Sequence, residues 1–291
     1  MANLPESLFA DSSAAGATMS GLDRSVHTDP KVASVVHWIQ ALQSHETREQ
    51  ALIVLSKNRE IRKDLAPLLW NSFGTISALL LEIISVYCLL SSPNLTDRVS
   101  TRVSNALALF QCVASHPDTR MQFLKAKLPY YLYPFLSTKN KEKAHEYLRL
   151  TSLGVIGALV KSGDPEVITF LIETQIFPGC LNSMKVGCEL SKTVATFIVH
   201  QILLHDEGLK HCCSIAERFF SVAHVLGQMT EKVAEEPCPR LLKHIIRCYR
   251  RLSDNPRACD GLRCCLPVKL TDNTFANQLL VCSSETFPSS T

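Results

Sequence analysis

Apolar positions recur with a helical period across residues 31–280. In Lys31–Gln43, which follows Pro30, the side chains of Val32, Val35, Val36, Ile39 and Leu42 fall on one face. Proline suits a first helical turn, because the N–H it lacks would have no intrahelical partner there. Thr47–Lys57 repeats the pattern with Ala51, Leu52 and Leu55. Gly74–Leu89 is apolar nearly all round, which predicts a helix sandwiched on several sides. Four longer amphipathic blocks follow: Arg98–Ala114, Glu146–Lys161, Glu189–Leu204 and Pro239–Leu252. Alternating β-branched runs are few, so the expected fold class is all-α.

Each of the four long blocks ends in a polar turn: Ser115–Asp118, Ser162–Pro165, His205–Gly208 and Ser253–Pro256. From Pro117 to Pro165, Glu207 and Pro256 the steps are 48, 42 and 49 residues. After three of these turns comes a short helix and then Leu128-Pro129, Phe177-Pro178 or Leu266-Pro267. A recurrence in the forties, with one long helix per unit, is the signature of armadillo or HEAT arrays. No single unit can bury its apolar face, so the units must stack into a solenoid.

Residues 1–30 and 281–291 are rich in Ser, Ala, Thr and Gly without an apolar period, and they predict disordered tails around one repeat domain over 31–280. The start of the chain has no basic segment followed by an apolar one, so no secretory signal is expected. The most apolar stretch, Ile76–Leu90, is interrupted by Glu82 and falls short of the roughly 20 residues a membrane span needs. A soluble protein of cytoplasm and nucleus, with no membrane contact, is expected. Net charge is +3, so any nucleic-acid site would be a local stripe. None of the 12 cysteines forms a Cys-x-x-Cys pair. Neither zinc nor disulfides are expected, and most thiols should be small core groups. The vicinal pairs Cys212-Cys213 and Cys264-Cys265 are each expected to expose one thiol, since neighbours on a helix point apart.

Longer blocks carry a specific likeness. They are Asp64–Trp70 (DLAPLLW) with Ser72–Ile76 (SFGTI), Asn105–Pro117 (NALALFQCVASHP) and Glu146–Lys161 (EYLRLTSLGVIGALVK). Glu189–Ile198 (ELSKTVATFI), Arg240–Ile246 (RLLKHII) and Arg251–Arg257 (RLSDNPR) complete the set. Over roughly 31–280 the chain resembles the Rcd-one family (required for cell differentiation, one), the armadillo-repeat subunit of the Ccr/Not mRNA deadenylase complex. The resemblance implies a right-handed armadillo solenoid of about six repeats, acting in mRNA decay and translational repression. One surface would dock on a helical-bundle segment of the Not scaffold protein. Others would receive tryptophan-containing peptides or amphipathic helices of mRNA regulators, and deadenylation itself would belong to other subunits. The family's scaffold-docking surface maps onto Asn71, Phe73, Ser77 and Ile84, and its peptide groove onto Tyr147, Gly154, Val194 and Arg218. Read without the likeness, Phe73 and Ile84 are core residues, and Gly154 and Gly157 allow close packing between repeats. Where the family commonly has tyrosine, this chain has Ala216.

A cation stands near the start of each long block: Arg102, Arg149, Lys192 and Lys243, joined by Arg247. Stacked in a solenoid, they would make a stripe for single-stranded nucleic acid or an acidic peptide. The competing reading is that they satisfy neighbouring carboxylates and carbonyls, with Glu146 and Glu189 close by. A homodimer is left open. Gly-x-Gly-x-x-Gly, Walker, Gly-x-Ser-x-Gly and His-Glu-x-x-His motifs are missing, so neither catalysis, nor a metal, nor a cofactor is expected.

Overall fold

A computed structural model describes residues 30–275 apart from 93 and 273. The tails expected over 1–30 and 281–291 lie outside it, save Pro30, which opens the first helix. Among the described residues fifteen α-helices succeed one another and there is no strand. They fall into three rows. An inner row holds α2 (His45–Asn58), α5 (Asp97–Ser115), α8 (Lys143–Val160), α11 (Glu189–Leu204) and α14 (Pro239–Ser253), each packed on the next. A row of short helices holds α3 (Leu65–Asn71), α6 (Pro117–Lys125), α9 (Pro165–Glu173), α12 (Asp206–Cys213) and α15 (Pro256–Cys265). A middle row holds α4 (Thr75–Ile84), α7 (Tyr133–Ser137), α10 (Ile176–Val186) and α13 (Ala216–Glu235). Four complete triplets result, with α1 (Pro30–Ala41) and α2 before them and α15 after. The expected all-α solenoid is therefore what the chain forms, and the expected count of about six is reached by including the partial units.

Three of the four polar turns start a short helix in a similar way. His116, Asp164 and Asn255 accept hydrogen bonds from N–H groups of the first turn, and Pro117, Pro165 and Pro256 stand just inside. Inner-row side chains Leu52, Leu107, Ile156, Ile198 and Ile245 are buried, so one core runs the length of the stack. Glu82, which interrupts the most apolar stretch, is buried against Arg102 (2.6 Å) and Arg48 (3.9 Å). No single helix among the described residues is long and apolar enough to cross a membrane.

Two expectations need correction. Gly74–Leu89 is not one helix packed on several sides: α4 ends at Ile84, a 3-10 turn follows over Tyr87–Leu89, and Ser77, Leu81 and Ser85 face outward. Phe177-Pro178 follows the short helix α9, as expected, and falls in the first turn of α10. Cys212 and Cys213 are both buried, because α12 is enclosed by α9, α11, α13 and α14, so the inward and sideways directions are both covered. Cys264 is exposed and Cys265 half-buried, as expected of a helix with a free side.

Candidate functional site

The connection from α3 to α4 turns sharply, the two segments meeting at 91°. Gly74 takes a left-handed conformation there (φ 74°), which costs a glycine little, and Gln43 fixes the turn by donating to the Phe73 carbonyl at 2.6 Å. The Phe73 ring is left 94% exposed. Ser77, Leu81 and Ile84 continue from it along α4 at steps of one helical turn, with Ser77 and Leu81 exposed and Ile84 half-buried. Asn71, also exposed, ends α3 beside them. The four docking positions read from the sequence thus share one neighbourhood, and the core reading fails for Phe73. Leu81 was missed in that reading, although its place four residues after Ser77 marks it on the same stripe. A single exposed apolar side chain is ordinary, but a row centred on a protruding phenylalanine offers the apolar heart that stable interfaces have.

The groove residues are divided. Tyr147 and Gly154 lie on α8 and Val194 on the adjoining α11, whereas Arg218 lies on α13 of the middle row. Val194 is 1% exposed and Gly154 is buried, while Tyr147 is half-buried. Arg218 donates to the His211 carbonyl, and the His211 ring stacks on Phe177 at 5.9 Å. Burial, aided by the Arg218 charge, holds the His211 pKa below the usual histidine value. Ile215 and Phe220 stand exposed near it in sequence, on either side of Ala216.

The basic ladder does not form a continuous stripe. Arg102 is engaged by Glu82 and Glu49. Arg149 is wholly buried: it pairs with Glu146 and donates to the carbonyls of Thr138 (3.0 Å) and Asn140 (2.8 Å). As a nucleic-acid contact Arg149 is therefore corrected to a structural residue, because a fully covered guanidinium cannot reach a phosphate. Burial alone would raise the Glu146 pKa, but the hydrogen bond from the Cys188 N–H and the Arg149 charge hold it low. Such links recur where one inner helix meets the next. Arg98 reaches Glu49 (3.1 Å), Lys143 reaches Asp97 (2.8 Å), and the Cys188 N–H donates to Glu146 (2.9 Å). Lys192, Lys243 and Arg247 are partly exposed at the far end of the row. Burial and the Lys232 charge keep the Lys192 pKa below the ordinary lysine value. Among the described residues no three His, Cys, Asp or Glu side chains gather as a metal site would require.

Residues 38–285 match the family described as cell differentiation family, Rcd1-like. The chain is 58% identical over 247 residues to the cell differentiation protein rcd1 of Schizosaccharomyces pombe, covering 85% of this chain and 87% of that one. It is 53% identical over 247 residues to Protein CAF40 of Saccharomyces cerevisiae, covering 84% of this chain and 66% of that one. Among solved structures, a designed armadillo repeat protein aligns with a TM-score of 0.40 at 14% identity, over 75% of this chain and 99% of that one.

Proposed function

This chain belongs to the Rcd1-like cell differentiation family, and from that premise we propose that it is a non-catalytic scaffold subunit of the Ccr/Not mRNA deadenylase complex. It docks on the Not scaffold protein through α4 and receives short peptides of mRNA-silencing regulators elsewhere on the solenoid. The observation that carries this reading is the 94% exposed Phe73 at the head of the Ser77–Leu81–Ile84 stripe. An aromatic ring left in water at the start of an apolar row gains its burial only when a partner covers it, and such rings commonly dominate binding. Co-expression with the Not scaffold protein tests it. Phe73→Asp should abolish co-purification while the helical content stays unchanged, and normal co-purification would contradict the assignment.

Tyr147, with the wall formed by α8 and α11, is the part of the peptide groove that reaches the surface, while Val194 and Gly154 set its depth. A second reading, single-stranded nucleic-acid contact, is favoured by one feature. Arg240, Lys243, Arg247 and Arg250 recur along α14 at steps of three or four residues. Lys192, Lys243 and Arg247 changed together to Glu should then remove a binding that weakens steeply with salt. If the unaltered protein shows no such binding at moderate salt, that reading is dropped.

A further inference from the structure

The hollow between the end of α6 and the outer face of α9 holds charges that no other described residue neutralises. Leu124 and Lys125 close α6, Lys127 follows in a left-handed conformation (φ 54°), and α9 presents Glu166, Phe170 and Glu173 on one face. Together they line a space of about 390 Å³. Leu124 is buried and Phe170 half-buried, so they form an apolar floor. The four charged side chains are exposed. None of the four takes part in an ion pair or a side-chain hydrogen bond among the described residues. This contrasts with Glu49, Glu82, Asp97, Glu146 and Asp206, each held by an arginine or lysine. The hollow is also built on fixed walls. Thr119 donates to the Val113 carbonyl (2.7 Å) and ties α6 to α5, while Asp164 caps α9 through the Glu166 N–H (2.9 Å). At the other end of α9, Thr174 meets the Tyr133 hydroxyl at 2.6 Å.

We propose that this hollow is a receptor site for a short linear peptide of mixed charge. One large apolar side chain of the peptide lies on Phe170 and Leu124. An acidic residue on one side of it meets Lys125 and Lys127, and a basic residue on the other meets Glu166 and Glu173. Charge complementarity selects this occupant, since a uniformly charged ligand such as nucleic acid would face like charge on one of the two walls. The opposite signs also fix the direction in which the peptide runs. The inference rests on the reading of the chain as a peptide receptor, but it uses neither the α4 stripe nor the wall of α8 and α11.

Four fluorescein-labelled heptapeptides with a central leucine test it by anisotropy on the full chain. They are Asp-Asp-Gly-Leu-Gly-Lys-Lys, its reverse, and the two versions with like-charged ends. One mixed-charge peptide should bind best, with the others weaker by about tenfold or more. Glu166→Lys with Glu173→Lys should transfer the preference to the doubly acidic peptide. Thr169→Trp, which fills the hollow from an exposed position, should weaken binding of the preferred peptide, whereas Phe73→Asp should leave it unchanged. Equal binding of all four peptides, no binding of any, or a preference that survives the charge reversal would overturn the proposal. Co-purification of the Glu166→Lys, Glu173→Lys chain with the Not scaffold protein is read separately, so the site and the scaffold reading can each fail alone.

Discussion

The turn around Phe73 and the start of α8 around Arg149 invert the usual relation between polarity and burial. Phe73, an apolar ring, is 94% exposed, while Arg149, a permanent cation, is wholly buried. In the first region a left-handed glycine and a 91° change of direction push the ring out of the stack. In the second, Glu146 and two loop carbonyls replace the water that the guanidinium gives up. The difference teaches that in a solenoid the surface is decided by the position of a residue within its unit. Arg102 and Arg149, near the starts of two inner helices, are held by the carboxylates and carbonyls packed around them. Residues at the turn into the middle row of the first triplet face solvent and are free to meet a partner.

The comparison breaks most sharply at Arg149. Arg149→Ala takes the cation from Glu146 and a donor from each of the Thr138 and Asn140 carbonyls, and breaking a buried pair on one side costs about 3–5 kcal/mol. Thermal unfolding should shift down by on the order of 10 °C. An unchanged midpoint, with a loss confined to nucleic-acid binding, would restore Arg149 to the surface reading.

A second, smaller effect concerns His200, buried on α11, whose pKa is lowered to about 4 by burial and the Arg247 charge. The unfolded chain, with a value near 6.5, then binds the proton more readily than the folded one. Stability contributed by neutral His200 is complete above that value and is lost as pH falls towards 4, by on the order of 1–3 kcal/mol. Unfolding midpoints of the native chain and of His200→Gln, compared at pH 7.5 and 4.5, should converge or cross as pH falls. A gap between them that does not change with pH would contradict the assignment.

The smallest effect sharpens the contrast from the other side. Lys143 and Asp97 form an exposed pair between α5 and α8, and exposed pairs contribute little because water and salt screen them. Lys143→Ala should leave the unfolding midpoint unchanged, and a drop comparable to that of Arg149→Ala would show the two cations to be equivalent after all.

The inner row was legible in the sequence, with α11 matching its expected limits Glu189–Leu204. So were the starts of α6, α9 and α15, since a capping residue followed by proline is a local signal. The middle row was largely not. α7, α10 and α13 start after Leu132, Gln175 and Ile215, none of which caps through its side chain, so the 20-residue α13 went unmarked. The proposed docking residues were placed by family likeness, and Leu81 could have been added from its spacing alone. The pairing of Arg149 with Glu146 was legible from their spacing, but the two carbonyls that accept from it come from the preceding loop, which no periodicity reveals.

Calorimetric titration of the Not scaffold protein's bundle segment into the native chain and into Phe73→Ala tests the central claim most directly. Loss of such an anchor weakens binding by about 2–4 kcal/mol, or roughly 30- to 1000-fold in Kd. The unfolding midpoint of the variant should stay where it was, because a side chain already in water leaves no cavity. Equal affinity of the two chains, or a fall in midpoint that accounts for the lost binding, would contradict the account.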